Sequence, residues 1–198
     1  MFNTIFILTF AGKYCNSSIV NNAGASFTVM NIIDFIINRR SIRKYLPEAI
    51  PDELIGELLK AGMYAPSAVN KQPWHFIVIR ERSIMEEIIK VHPYASMLRF
   101  AAAAIVVCGD MQIAHTPEYT PVDCAAATQN ILLAAHGLGL GGVWLGLHPR
   151  EERKRAISIL FGLPDNIMPF AIVSLGYPAE MPPLPQRFRK ERIHYEKW

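Results

Sequence analysis

Four cations and one hydroxyl group lie within six residues in the segment Arg39-Arg40-Ser41-Ile42-Arg43-Lys44. Arginine presents its donors in a rigid plane that matches pairs of phosphate oxygens, and a serine hydroxyl can complete such a site. The same composition is typical of a solvated turn whose cations balance the negative C-terminal end of a preceding helix. Taken alone, the segment favours the solvated turn, so a phosphate site needs support from other residues.

A second polar segment, residues 65–74, is predicted to be a loop because it contains two prolines. Ser67, Asn70 and Gln72 supply directional donors and acceptors in this loop, and the prolines stiffen it. Such a loop could bind the edge of a flat heterocycle. It could equally be a packed turn in which the side chains bond to the neighbouring backbone. The residues themselves leave the two interpretations open.

These two segments must be positioned by the elements around them. An apolar-periodic run over 32–37, capped by Asn31, predicts a helix that ends in the basic segment. The apolar run 75–79 predicts a buried strand directly after the loop. A second helix is predicted to begin with Pro51 as its first residue and Asp52 and Glu53 in its first turn. The remaining patterns predict helices at Ser83 through a capping box with Glu86, over 123–140 and over 150–160, and strands over 101–108, 143–146 and 170–175.

The predicted helix over 123–140 is rich in alanine, and a glycine run over 137–142 follows it. Small side chains allow neighbouring backbones to approach closely, which suits a central helix at a subunit or domain junction. The glycine run follows a helix and leads into a strand, the reverse of the order in the dinucleotide-binding fingerprint. It therefore indicates close approach of the backbone to a neighbouring surface or ligand.

Composition limits the class of protein. The chain has 198 residues, half of them apolar, and a formal net charge of +3, which predicts one globular domain over 30–198. The interspersed charges argue against a nucleic-acid partner, and the apolar run 5–10 is too short to span a membrane. Three cysteines without a CxxC pair indicate reduced thiols and a cytoplasmic protein, with no metal site. Residues 1–29 are expected to be a poorly ordered extension or to precede the native start at Met30.

Three separated motifs together resemble the nitroreductase family of FMN-dependent oxidoreductases. They are Arg39-Arg40-Ser41-Ile42-Arg43, the loop 65–74, and the alanine-rich helix that leads into Gly141-Gly142-Val143-Trp144; the arm 187–198 adds to the resemblance. The resemblance implies an α+β fold, a mostly antiparallel central sheet flanked by helices. It also implies an intertwined homodimer with FMN at the subunit interface, in which each C-terminal arm reaches over the partner.

The resemblance also assigns roles to individual residues on the phosphate side of the cofactor. Arg39, with Arg187 and Arg189 from the tail, would hold the FMN phosphate. Arg40 and Ser41 belong to the same binding segment, Arg40 through its backbone. Arg43 would lie near the pyrimidine edge of the flavin, where a cation stabilises the negative charge of the reduced ring.

Two further segments would approach the flavin ring. Pro66, Ser67 and Asn70 match the loop that comes from the other subunit. Leu145 and Gly146 match the strand whose backbone N–H faces the hydride-accepting nitrogen. Many relatives carry Glu where this chain has Leu145, so a role for that carboxylate is absent here.

The implied activity is transfer of hydride from NADH or NADPH through FMN to a small planar acceptor, such as a nitroaromatic or a quinone, by a ping-pong mechanism. The cofactor carries the chemistry, so no catalytic side chain and no metal is expected. The chain has only a short loop between Cys108 and Cys124, where larger relatives place lid segments, so their substrate preference does not transfer. The alternatives are a flavin-binding or flavin-sensing protein without turnover, and a specialised reaction such as reductive dehalogenation or flavin fragmentation.

Overall fold

A computed structural model describes residues 18–20, 26–28 and 31–198. In the first two ranges, strands β1 (Ser18–Val20) and β2 (Ser26–Thr28) pair antiparallel. The prediction of a poorly ordered extension over 1–29 falls mostly on residues outside this description, so it stays a prediction.

The centre of the fold is a sheet of four strands in the order β3-β4-β6-β5. Every neighbouring pair in this sheet is antiparallel. The strands are β3 (Trp74–Ile79), β4 (Ala103–Asp110), β5 (Gly141–Gly146) and β6 (Ile167–Gly176). The predicted antiparallel α+β fold is confirmed.

Helices cover both faces of this sheet. Along β4, Ala104 and Val106 join one apolar core with residues of α3 and α5, whereas Ile105 and Val107 join a second core with residues of α2 and α4. Successive side chains of a strand point to opposite faces, so one fully buried strand serves both cores. The helices are α1 (Ile32–Asn38), α2 (Asp52–Met63), α3 (Arg82–Val91), α4 (Thr120–Gly137) and α5 (Glu151–Phe161). None of the helices in the described part of the chain is long and apolar enough to cross a membrane.

The predicted capping box at Ser83 and Glu86 is wrong. Helix α3 begins at Arg82, and Glu81 occupies the cap position without a side-chain hydrogen bond to the helix. The Glu86 carboxylate instead accepts from the Arg99 guanidinium at 3.1 and 3.2 Å. A tertiary ion pair has therefore taken the carboxylate that the local pattern assigned to the helix end.

The segment after α1 lies against the open edge of β5 and the end of β6. Ile42 N donates to Gly142 O at 3.1 Å, and Leu46 N donates to Tyr177 O at 2.9 Å. This approach requires glycine on the sheet. A Cβ at Gly141 would lie 2.7 Å from Ile42 Cβ, closer than real Cβ contacts. The predicted meaning of the glycine run, close approach of a neighbouring backbone, is confirmed at Gly141.

We expect Gly141→Ala to destabilise the protein by about 1–3 kcal/mol, because Ile42 and its segment must shift to admit the new methyl group. Gly56→Ala is the matched control: it lies inside α2, nothing is within 4 Å of its added Cβ, and it should stabilise the fold by about 0.5–1 kcal/mol. Urea denaturation midpoints measure both effects. Equal midpoints for Gly141→Ala and the unchanged protein would show that the segment is not held by this contact.

Candidate functional site

Arg39 and Arg187, from the two ends of the described domain, lie close enough for the charge of Arg187 to act on Arg39. Burial, followed by the positive charges of Arg187 and Arg40, lowers the pKa of Arg39. Among residues 31–198, no carboxylate lies within 4 Å of the Arg39 or Arg187 guanidinium. Neighbouring cations without a negative partner repel each other, so an anion bound between them would stabilise the site.

His136, near the end of α4, belongs to the same surroundings. Its ring lies 4.9 Å from the ring of Phe35, which projects from α1. Burial first, and then the charges of Arg39 and Arg40, lower the pKa of His136. Arg39 and Arg187 are called the cationic group below. The cationic group therefore lies where the last turn of α4 meets the last turn of α1.

Arg40 uses its guanidinium to bind backbone carbonyls. It donates to Ile37 O at 2.6 Å, to Arg39 O at 2.8 Å and to Pro183 O at 3.2 Å. These bonds satisfy carbonyl groups at the end of α1 and attach to it the segment at Pro183 that leads into the C-terminal arm. The side chain of Arg40 is thus a structural link, and the role of its backbone in cofactor binding stays a prediction.

Ser41 and Arg43 are held in place by the sheet edge and by Glu180. Ser41 forms a parallel bridge with Gly142 of β5. Glu180 Oε1 accepts from Arg43 N at 2.6 Å and from Lys44 N at 3.1 Å. The Arg43 side chain is exposed. Sequence reasoning missed Glu180, because its partners lie far away along the chain and no local pattern marks it.

The loop 65–74 contains the local bonds of a packed turn. Ser67 Oγ accepts from Gln72 N at 2.9 Å, and Asn70 Oδ1 accepts from Gln72 Nε2 at 2.8 Å. Pro66 lies exposed at its start. The interpretation as a locally bonded turn is therefore confirmed for these oxygens, and a ligand would meet a loop that is already ordered.

The backbone of this loop is strained, and it is hydrogen-bonded to a residue far along the chain. Val69, Asn70 and Gln72 have φ between 51° and 55°, a region that costs a β-branched residue most. Asp123, on α4, accepts from Ala68 N through Oδ1 at 2.9 Å and is 3% exposed. Strained conformations persist when surrounding structure fixes them. Asp123 supplies such a restraint, which the sequence did not reveal because its partner is distant along the chain.

The loop and the cationic group lie at opposite ends of α4. Asp123 is in the first turn and His136 in the last, thirteen residue steps apart. At about 1.5 Å per residue, the separation is about 20 Å. One chain therefore does not bring Pro66, Ser67 and Asn70 to the same place as Arg39 and Arg187.

Leu145 and Gly146 form the end of β5. Leu145 pairs with Ile172, and its side chain is buried. Gly146 is different: a Cβ built there meets only His148 O, at 3.9 Å. The backbone of Gly146 is thus open to a flat group on the side that a Cβ would occupy.

Arg189 and Trp74 occupy simpler positions. Arg189 is exposed, and its carbonyl accepts from Arg192 N at 3.1 Å at the start of a short 3-10 turn. Trp74 is buried against Ala65 and Ala127, where it packs in the core. The role of Arg189 beside Arg187 stays a prediction.

Comparison with known proteins identifies the family. The Nitroreductase family model matches residues 36–107 and 90–177. A Methanothermobacter thermautotrophicus protein, provisionally named NADH dehydrogenase/NAD(P)H nitroreductase, is 49% identical over 85% of this chain and 88% of its own length.

Solved structures agree with this match. A structure described as an FMN-dependent nitroreductase from Clostridium difficile has a TM-score of 0.78 and 26% identity, covering 84% of this chain and 99% of its own. A Desulfovibrio desulfuricans structure, provisionally described as a nitroreductase in complex with FMN, has a TM-score of 0.75 and 32% identity, covering 86% and 99%. The sequence match, the shared antiparallel fold and the motifs on it agree, and the chain belongs to the nitroreductase family.

Proposed function

We propose that this protein is an FMN-dependent oxidoreductase that oxidises NADH or NADPH and reduces a small planar acceptor. The observation that carries the proposal is that the charge of Arg187 lowers the pKa of Arg39, while neither cation has a carboxylate within 4 Å among residues 31–198. A phosphate group supplies the missing negative charge and matches the planar donors of arginine. Relatives named for NAD(P)H and FMN support the same cofactor and reductant.

The residues present fit FMN in chemistry and in access. Arg39 and Arg187 would hold the phosphate. The exposed side chain of Arg43 would add positive charge near the pyrimidine edge, and the backbone at Gly146 is open to a flat ring. The ordered loop carrying Ser67 and Asn70 would close the site.

The two halves of this site imply a second copy of the chain. Because the loop and the cationic group lie about 20 Å apart along α4, a twofold dimer with antiparallel α4 helices would bring each loop to the partner's cationic group. Large apolar side chains are exposed at both ends of α4, as a dimer interface requires. They are Ile32, Ile33, Ile36 and Ile37 on α1, and Met63, Tyr64, Val69, Tyr119 and Val122 around the loop.

The C-terminal arm supports the same assembly. Beyond Ala179, whose N–H donates to Lys44 O at 2.9 Å, the chain is exposed almost throughout, including the whole arm 187–198. Phe188, Tyr195 and Trp198 are large aromatic side chains on its exposed surface. We propose that the arm lies across the partner subunit, which would cover these rings.

The reaction follows from the cofactor and from the access to it. Bound FMN supplies the acceptance of hydride from NADH or NADPH and its donation to a second planar compound. One open face would serve both compounds, so they would bind in turn, which is ping-pong behaviour. The protein's own residues would bind the phosphate, orient the ring and add positive charge near it.

Absorption spectroscopy tests the proposal. The purified protein is mixed with FMN, desalted, and then titrated anaerobically with NADH and separately with NADPH. We expect a retained flavin band that bleaches with a nucleotide and returns on addition of a quinone or a nitroarene. A retained band that never bleaches would instead indicate a flavin-binding protein without this turnover. No retained flavin at any protein concentration would overturn the cofactor assignment.

A further inference from the structure

The carbonyl of Gly146, at the end of β5, receives two side-chain donors from outside the sheet. His92 Nε2 lies 3.1 Å from Gly146 O, and Arg153 Nη1 donates to the same oxygen at 3.0 Å. Gly142 O, four residues earlier, accepts from Ile42 N and so also faces the edge away from β6. Carbonyls two residues apart in a strand face the same side. The carbonyl groups at both ends of this β5 edge are therefore hydrogen-bonded. Gly142 O accepts from a backbone N–H, and Gly146 O accepts from side chains.

The hydrogen bonds of His92 fix its tautomer. Tyr94 N donates to His92 Nδ1 at 3.2 Å, so Nδ1 is the acceptor and the ring hydrogen is on Nε2, which donates to Gly146 O. His92 is buried, with 2% of its surface exposed. Burial is the main cause of a lowered pKa at His92; the bond to Gly146 opposes it and the charge of Arg153 adds to it. The bonded ring is therefore neutral.

The Arg153 side chain, on α5, also contacts an aromatic ring. Its guanidinium carbon lies 5.4 Å from the centre of the Tyr94 ring, a cation–π distance. Within residues 31–198, no carboxylate lies within 4 Å of this guanidinium. Among the described residues, the charged group that faces His92 is thus Arg153, from α5. The Tyr94 ring also faces the His92 ring, and the two ring centres are 6.3 Å apart.

We propose that His92 and Arg153 are positioning residues for the flavin that act through the Gly146 carbonyl. This inference rests on the proposed function, in which the ring lies against Leu145 and Gly146. An unbonded carbonyl at this edge would be free to turn toward the ring, whose reduced form is negatively charged. Two donors hold the oxygen in place, and the Arg153 cation adds positive charge beside the site.

Substitutions separate this role from general folding. Arg153→Met removes the donor and the charge but keeps an apolar stem of similar length, and Arg155→Met on the same helix is the matched control. The bond from Arg153 lies within the protein, so its loss acts on FMN binding through the position of the Gly146 carbonyl and through the lost positive charge. We expect the FMN dissociation constant to rise about tenfold in Arg153→Met and to change less than about twofold in Arg155→Met. Both affinities are measured at a temperature at which the apoproteins are folded, because Arg153→Met also removes a bond that stabilises the fold. Arg153→Lys, which keeps the donor and the charge, should recover most of the affinity.

His92 provides a second, independent test. His92→Gln places an amide nitrogen where Nε2 lies and should retain most FMN affinity, whereas His92→Phe should lose about tenfold. Nitrogen-15 NMR of the apoprotein should show the Nε2–H tautomer. Because the folded pKa of His92 is lowered, the unfolding free energy should fall as pH drops below the ordinary histidine value of 6.5 toward the folded pKa. This slope should be smaller in His92→Gln, in which His136, whose pKa is also lowered, still contributes.

The outcomes distinguish this inference from the proposed function. If the unchanged protein binds FMN and Arg153→Met binds it equally well, the positioning role is overturned while the cofactor assignment stands. An Nδ1–H tautomer at His92 would also overturn it, whether or not flavin binds. If the unchanged protein binds no FMN, the proposed function itself has failed.

Discussion

Val122→Asp is expected to give a folded chain that stays monomeric and no longer retains FMN. Val122 lies in the first turns of α4 beside the loop 65–74, and its side chain is 60% exposed in the single chain. Because it is exposed, a carboxylate there costs the isolated fold little. In the proposed twofold dimer the same position is buried at the interface that completes each flavin site.

The expected effect on assembly is large. A buried carboxylate without a partner costs several kcal/mol, and a twofold interface contains two copies of each substitution. The dimer should therefore weaken by roughly a thousandfold or more. FMN should be lost with it, since the loop carrying Ser67 and Asn70 no longer meets the partner's cationic group.

Sedimentation velocity and the flavin band after desalting measure the two consequences. Ile159→Asp on α5 is the matched control, because its side chain is also exposed, at 72%, but α5 carries no part of the proposed interface. Circular dichroism confirms that both variants fold. A dimeric, flavin-retaining Val122→Asp protein would refute the proposed arrangement of the α4 helices.

Arg39→Ala and Arg187→Ala are each expected to cost roughly 1.5–3 kcal/mol of FMN binding, a 10- to 150-fold loss of affinity. Each substitution removes a charged donor from the phosphate. The unliganded protein should lose little stability in Arg187→Ala, because the charge of Arg187 opposes that of Arg39 when no anion is present. A stability loss without an affinity loss would indicate a packing role.

Riboflavin makes this test specific, since it has the same ring as FMN but no phosphate. We expect the unchanged protein to prefer FMN, and both variants to lose that preference while their riboflavin affinity changes little. Arg192→Ala, an exposed cation on the same arm, is the control and should keep the preference. FMN affinity that is unchanged in both Arg39→Ala and Arg187→Ala would remove the phosphate assignment.

Sequence patterns predicted the elements well where burial decided the structure. The apolar run 75–79 lies within β3, and the small and β-branched run 101–108 overlaps β4, which is buried on both faces. The alanine-rich pattern over 123–140 predicted α4 but placed it about three residues late, because Thr120 and Pro121 already form its first turn. The predicted capping box did not form, because the Glu86 carboxylate accepts a hydrogen bond from Arg99 instead. Arg99 lies outside the short spacing that defines a capping box.

The sequence by itself determined which residues could bind a phosphate and a flat ring, because donor chemistry and loop stiffness belong to residue types and short spacings. It also determined the family, through motifs whose order along the chain is specific. The tertiary structure alone decided which groups meet: Arg39 with Arg187, Asp123 with the loop at Ala68, and His92 with Gly146. Such pairings depend on how the helices and strands pack against one another. Contacts between residues far apart along the chain leave no periodic signal in the sequence.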